Sequence, residues 1–132
     1  MFLDSISILP FALRKLPEVF GLTVAKSLYT HYFNTRANLE YVGKIPDISY
    51  YGVDELSASE RNEFLAWYEG QNIEVFYKRR VLESYCQDDV NVLREACRVL
   101  RQEFLHVGNI DVFRESAIIT TACNKALLKR FL

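Results

Sequence analysis

The sequence predicts an α/β domain that is mostly helical, with a short strand at its N-terminus. Three observations predict it. Residues 81–105 carry Leu82, Tyr85, Cys86, Leu93, Ala96, Cys97, Leu100 and Phe104 at helical spacing, which makes one long amphipathic helix with a single apolar stripe. Ser57 followed three residues later by Glu60 forms a capping-box signature that opens another helix. The opening run Phe2-Leu3-Asp4-Ser5-Ile6 reads as a strand entered abruptly, extending over residues 2–9.

The remaining elements follow in order. After Pro10, residues 11–20 have a helical pattern through Phe11, Leu13, Leu16 and Phe20. Pro17 either breaks that pattern or occupies the first position of a final short helix, and Gly21 is the C-cap candidate. Residues 22–56 lack helical periodicity and read as a long, partly extended connection, with turn chemistry at Tyr41-Val42-Gly43-Lys44-Ile45-Pro46-Asp47 and at Tyr50-Tyr51-Gly52. The helix opened by Ser57 draws its apolar side from Phe64, Leu65, Trp67 and Tyr68 and weakens at Gly70. A second helix is expected from about Asn72, through Val75, Phe76 and Val81, before the long stripe begins. Gly108-Asn109 ends that stripe, and Asp111 is placed to cap the last helix. There are no internal repeats and no low-complexity tracts.

At 132 residues the chain is one domain or a piece of one. Half the residues are apolar, with nine Phe and eight Tyr, which supplies a packed core and argues against disorder. The net charge of −1 and a pI near 6.1 give no global nucleic-acid signature, so any such contact must be local. Cys86, Cys97 and Cys123 form no CxxC pair. They read as free thiols in a reducing, intracellular compartment, with those on the stripe expected to be buried. His31 and His106 show no zinc-ligand spacing with them. No apolar run is long enough to span a membrane, and the start has no basic n-region. The abrupt opening strand and the unterminated helix over residues 117–132 lead to the expectation of a fragment at both ends.

One residue on the stripe calls for a chemical explanation. At about 100° per residue Asp89 falls near the centre of the apolar face, whereas Asp88 lies roughly 120° away, near its edge or in solvent. A carboxylate turned toward a core is costly unless paired or bound to a metal. The structural explanation is a buried ion pair or a helix–helix hydrogen bond. The functional one is a metal site: Tyr85, four residues earlier, projects beside Asp89. A phenol that holds water beside a carboxylate that holds a cation suits metal-assisted phosphodiester hydrolysis.

Four blocks of sequence, in order and spacing, resemble the 3′-5′ exonuclease domain of the protein-primed family B DNA polymerases, most closely the organellar, viral and Polinton/Maverick transposon type. Phe2-Leu3-Asp4-Ser5-Ile6-Ser7-Ile8-Leu9-Pro10-Phe11 is similar to the family's Ser/Thr-Leu-x-x-hydrophobic motif. Leu22-Thr23-Val24-Ala25-Lys26-Ser27-Leu28-Tyr29 resembles its Lys-x-x-hydrophobic motif. Tyr41 to Pro46, continuing to Tyr50-Tyr51-Gly52, is similar to a connecting segment of the transposon-type enzymes. Tyr85-Cys86-Gln87-Asp88-Asp89-Val90 fits the third exonuclease motif, Tyr-x-x-x-Asp. The sequence departs at Ile6, where the family usually has Leu.

The resemblance implies a ribonuclease-H-like (DnaQ-like) fold, with residues 1–108 as the C-terminal part of the exonuclease domain and residues 109–132 as a helix leading toward an absent polymerase domain. It implies catalytic roles for Lys26, Tyr85 and Asp89. Asp89 would be a metal ligand, Tyr85 would orient the attacking water, and Lys26 would stabilise charge on the scissile phosphate. Ser5, Ile6 and Leu9 would bind the single-stranded 3′ end of DNA. The implied cofactor is Mg2+ or Mn2+ in the complete enzyme. The implied partners are primer-template DNA, deoxynucleoside triphosphates and a terminal priming protein, with no membrane.

The sequence lacks the family's Asp-x-Glu motif, its second motif and every polymerase motif, so the isolated chain is expected to be inactive. Two other readings stand beside this one: a stand-alone DEDD-type nuclease, and a non-catalytic helical interaction domain in which Asp89 makes a buried salt bridge. Trp67-Tyr68 and Tyr50-Tyr51 could stack on bases or serve the core. Lys125, Lys129 and Arg130 could meet phosphates or offset the last helix dipole.

Overall fold

The computed structural model describes residues 5–24 and 28–132. The architecture is mostly helical: α1 (Leu16–Phe20), α2 (Ala58–Glu69), α3 (Lys78–Gly108), α4 (Val112–Glu115) and α5 (Ile119–Phe131), joined by short 3-10 turns. The described strands are β1 (Val42–Gly43) and β2 (Phe76–Tyr77), antiparallel, with Val42 opposite Tyr77 and Gly43 opposite Phe76. The chain divides into two compact units, residues 1–26 with 88–132, and residues 27–87.

The dominant element is α3, 31 residues long. No Gly or Pro interrupts it before Gly108, so nothing in its interior breaks the backbone hydrogen-bond ladder. It stops where Asn109 takes a left-handed conformation at φ 50°. Asp111 then caps α4, its side chain accepting from the Phe113 N–H. The same local chemistry shapes the other helices. Pro17 sits in the first turn of α1, and Gly21 closes that helix at φ 60°. The capping box at Ser57 and Glu60 forms in both directions at the head of α2.

In the first unit Leu9, Leu16, Val92 and Ala96 form one buried cluster, with Leu13, Phe20, Leu22, Val24, Leu93 and Cys97 packed around it. Ile8, Val112 and Ala122 form another, flanked by Phe104 and Phe113, and Leu100 packs against both clusters. The second unit is built from rings. Tyr51, Phe64, Trp67 and Tyr68 contact one another with centroids 5.1 to 5.9 Å apart. Phe33 stands edge-on to Tyr41 and Tyr50, each at 5.0 Å. Tyr51 and Trp67-Tyr68 are therefore core and packing residues. Burial pushes the Tyr51 phenol up, and Tyr68 donates to the Pro46 carbonyl at 3.1 Å.

Three expectations are corrected. The N-terminal strand is absent from the described part of residues 2–9, where Ser5–Ser7 is a 3-10 turn. Ile8 and Leu9 are both buried, and consecutive buried residues facing two clusters do not fit the alternation of a half-buried strand. The helix expected from Asn72 does not form: α2 ends at Glu69, Phe76–Tyr77 is β2, and the helix begins only at Lys78. Pairing with Val42–Gly43, a contact distant in sequence, takes Phe76 and Tyr77 out of the helical register. The thiols are more open than expected, since Cys86 is exposed, as is Cys123, and only Cys97 is partly covered. Burial raises the Cys97 thiol above its ordinary value.

Candidate functional site

Tyr85 and Asp89 both lie in α3, one turn apart. Their shared stripe runs back to Lys78 and forward through Val92 to Ala96. Val92, Ala96 and Lys78 are all buried, so this is the covered face of the helix. Asp89 is half-buried with its Oδ1 shielded from solvent, and Tyr85 is half-buried as well. Asp88 is likewise partly covered, at the edge of that face.

Within each unit, one further candidate residue packs against that unit's own part of the helix. In the first, Leu9 is 3% exposed and sits in the cluster with Val92 and Ala96, which begins one turn beyond Asp89. Leu9 therefore anchors its segment, whereas Ile6, 62% exposed, offers its side chain to solvent. Ser5 belongs to the 3-10 turn Ser5–Ser7. In the second unit the ring of Tyr29 stacks on that of Tyr85, centroids 4.4 Å apart and planes 16° from parallel. Tyr29 is the final, hydrophobic position of the block that contains Lys26. Lys26 itself, like Asp4, lies outside the described residues.

The surroundings of Tyr85 hold groups that the sequence reading passed over. His31 stands edge-on to Tyr29 at 5.3 Å and to Tyr85 at 5.7 Å. Lys78 is fully buried and donates from Nζ to the Tyr29 hydroxyl and, at 3.2 Å, to Asn34 Oδ1. Burial lowers the Lys78 pKa from its ordinary value, and burial also raises that of the Tyr29 phenol, with the Cys86 and Tyr85 groups adding to it. A signal for Lys78 was present. Extending the stripe back from Tyr85 through Leu82 by one more turn puts Lys78 on the covered face.

Among the described residues, no group of three or more His, Cys, Asp or Glu side chains could hold a metal ion. Asp89 supplies one carboxylate, and two-metal phosphodiester chemistry calls for about four. The described residues therefore do not by themselves fit a divalent-metal centre. The basic residues of α5 have internal partners. Lys125 donates to the Glu115 carbonyl, and Lys129 reaches the Asn109 carbonyl at 3.0 Å and Glu115 Oε2 at 3.1 Å. No described helix is long and apolar enough to cross a membrane.

The family described as DNA polymerase type B, organellar and viral, matches residues 1–125. A probable DNA polymerase of Neurospora intermedia is 29% identical over 126 residues, covering 92% of this chain and 13% of that protein. One of Podospora anserina is 28% identical over 133 residues, 99% of this chain and 10% of that protein. One of Agaricus bitorquis is 39% identical over 57 residues, 43% of this chain and 7% of that protein. The chain thus spans about a tenth of the length of these relatives. No solved structure matches it. With its family match running almost end to end, the chain belongs to the organellar and viral type B DNA polymerases.

Proposed function

We propose that this chain is part of the 3′-5′ proofreading region of a DNA-directed DNA polymerase and binds the single-stranded 3′ end of DNA. The observation that carries the reading is the packing onto α3. Tyr29, the hydrophobic position of the Lys-x-x-hydrophobic block, stacks on Tyr85, which lies one turn from Asp89 on the covered face of the helix. A residue of one motif-like block thus rests on the phenol of another, within a turn of the carboxylate that the same resemblance makes a metal ligand, and this supports the reading.

In this reading residues 1–108 belong to the exonuclease region, of ribonuclease-H-like type, and residues 109–132 lead toward the polymerase domain. Ile6 packs against a base or sugar, Ser5 is a further contact to the strand, and Leu9 anchors the segment of Ile6 from the core. Lys26 stabilises charge on the scissile phosphate, and Tyr85 holds the attacking water by hydrogen bonding from its phenol. Asp89 is a ligand for Mg2+ or Mn2+ in the complete enzyme, alongside carboxylates from the family's first two exonuclease motifs, which this sequence lacks. The parent enzyme would take primer-template DNA and deoxynucleoside triphosphates, with a terminal protein as primer, in DNA replication.

The test is binding of a fluorescent single-stranded oligonucleotide, followed by anisotropy, against the same sequence as a duplex. The single strand should bind more tightly. Lys26→Ala should weaken binding and lower the salt-dependence slope by about 0.7, the share of one phosphate contact on a single strand. Ile6→Asp should weaken binding as well. Equal affinity for duplex, or no change in either variant, would overturn the reading. The chain alone should neither extend primers nor degrade DNA at a useful rate. Metal-dependent 3′-5′ degradation by the purified chain, abolished by Asp89→Ala, would show that the missing carboxylates are not needed.

A further inference from the structure

We propose that Lys78 is a positioning residue that acts through Tyr29 to hold the ring of Tyr85 in place. The catalytic sense of this rests on the role given to Tyr85 above; the positioning itself does not.

Lys78 is 0% exposed at the first position of α3, while its neighbours Arg79 and Arg80 are exposed. Its ammonium group meets no carboxylate among the described residues. It donates instead to the Tyr29 hydroxyl and to Asn34 Oδ1, and the Tyr29 hydroxyl donates to the same Asn34 oxygen at 3.1 Å. The three side chains close a triangle in which every polar atom named has a partner. Nζ also lies 4.2 Å from the centroid of the Tyr29 ring.

A buried cation without a carboxylate is costly, and an aliphatic side chain of the same reach would fill the space without that penalty. What the ammonium adds is a directional grip on one phenol. Lys78 and Tyr85 lie two turns apart on one face of α3, and Tyr29 engages both. Lys78 holds its hydroxyl end, and Tyr85 stacks on its ring. His31, edge-on to both tyrosine rings, completes the enclosure. With the Tyr29 hydroxyl held, its ring cannot swing about the Cα–Cβ bond, and the in-plane preference of the phenol's donated hydrogen bond to Asn34 limits its turning, so the surface against which Tyr85 rests is held as well. A phenol that must aim a water needs such a constraint, since small misplacement of a reacting group costs large factors in rate.

The test is aromatic NMR of the whole chain, with the Tyr85 ring signals assigned by their loss in Tyr85→Phe. In the wild type these signals should be displaced by the ring current of Tyr29 and remain sharp. Lys78→Met keeps the length of the side chain and removes its charge and donors. Tyr29→Phe keeps the stacked ring and removes the hydroxyl that Lys78 grips. Both should bring the Tyr85 signals toward their unstacked position or broaden them, while helical circular dichroism is retained. Unmoved Tyr85 signals in both variants would overturn the proposal, even with a lower melting temperature, because a residue that only supports the fold would give that result. If Lys78→Met does not fold, Tyr29→Phe alone decides. The oligonucleotide measurement is separate: a Tyr85 response with no single-strand binding would retain the positioning role and remove the exonuclease reading.

Discussion

The two units of this protein are packed by opposite means. Residues 1–26 with 88–132 fill their interior mainly with aliphatic side chains such as Leu16, Val92 and Ile110, and bring helices close where residues are small: Ala96, Ala122 and Ala126 are buried, and Gly108 lies so close to α5 that an added Cβ would sit 2.6 Å from the Ala126 Cβ. Residues 27–87 instead fill their interior with rings, Tyr29, Phe33, Tyr51, Phe64 and Phe76, tied by phenol hydrogen bonds such as Tyr68 to Pro46 and Tyr32 to Glu55. A core made by close backbone approach has no room to gain volume. A core made of few large rings cannot lose one without leaving a hole.

The largest effect should come from removing volume in the second unit. Phe64→Ala should cost about 3–5 kcal/mol by chemical denaturation, since Phe64 is buried and touches Tyr51, Trp67 and Tyr68. Hydrogen exchange should quicken most in Ala58–Glu69, and an equal change along residues 88–132 would break the contrast. Next comes added volume in the first unit. Gly108→Ala should destabilise by about 1–3 kcal/mol, because the clash is with the Ala126 Cα as well as its Cβ and so cannot be relieved by a side-chain rotation. Alanine favours an exposed helix over glycine by about 1 kcal/mol, so a stabilised variant would deny the close approach.

A smaller loss, about 1 kcal/mol, is expected for Ser57→Ala, which removes the cap of α2. Thermal melting would read it, and Ser57→Asp should recover most of it. The smallest effect is acid sensitivity in the first unit. The Arg101 guanidinium, 2.6 Å from Asp111 Oδ2, holds that carboxyl below its ordinary 3.8, with the Phe113 N–H and Arg114 adding to it. A lowered folded-state pKa means that the contribution is complete above the ordinary value and is lost as pH falls through the folded one. Glu115 is lowered too, first by the Asp111 N–H and then by Lys129, and acts in the same direction. Melting temperature should therefore decline on acidification below the ordinary carboxylate range. It should decline less in Arg101→Leu, which has less of that contribution to lose.

The elements legible in the sequence were those set by neighbours along the chain. The Ser57–Glu60 capping box, the Gly21 terminus and the end of the stripe at Gly108-Asn109 each depend on a handful of adjacent residues, whereas Asp111, expected to cap the last helix, caps the short α4 instead, and α5 starts separately at Ile119. The Tyr85-to-Asp89 spacing was legible for the same reason, as helical periodicity places both on one face. What was not legible depended on partners far away. Phe76–Tyr77 carries no strand signal stronger than its helical one until Val42–Gly43 pairs with it. Ile8 and Leu9 read as a strand because nothing local indicates that two clusters flank them.

By itself, the sequence determined the long helix, its covered face, the two side chains one turn apart on it and the family whose motifs they match. Those follow from periodicity and residue chemistry, which act over a few positions. Only the tertiary structure decided that Tyr29 rests on Tyr85, that Leu9 rather than Ile6 is the buried anchor, and that Lys78 is a desolvated cation gripping a phenol. Such contacts join residues 49 or more positions apart. They form because packing one apolar face against another selects which distant side chains meet, and no local propensity specifies that choice.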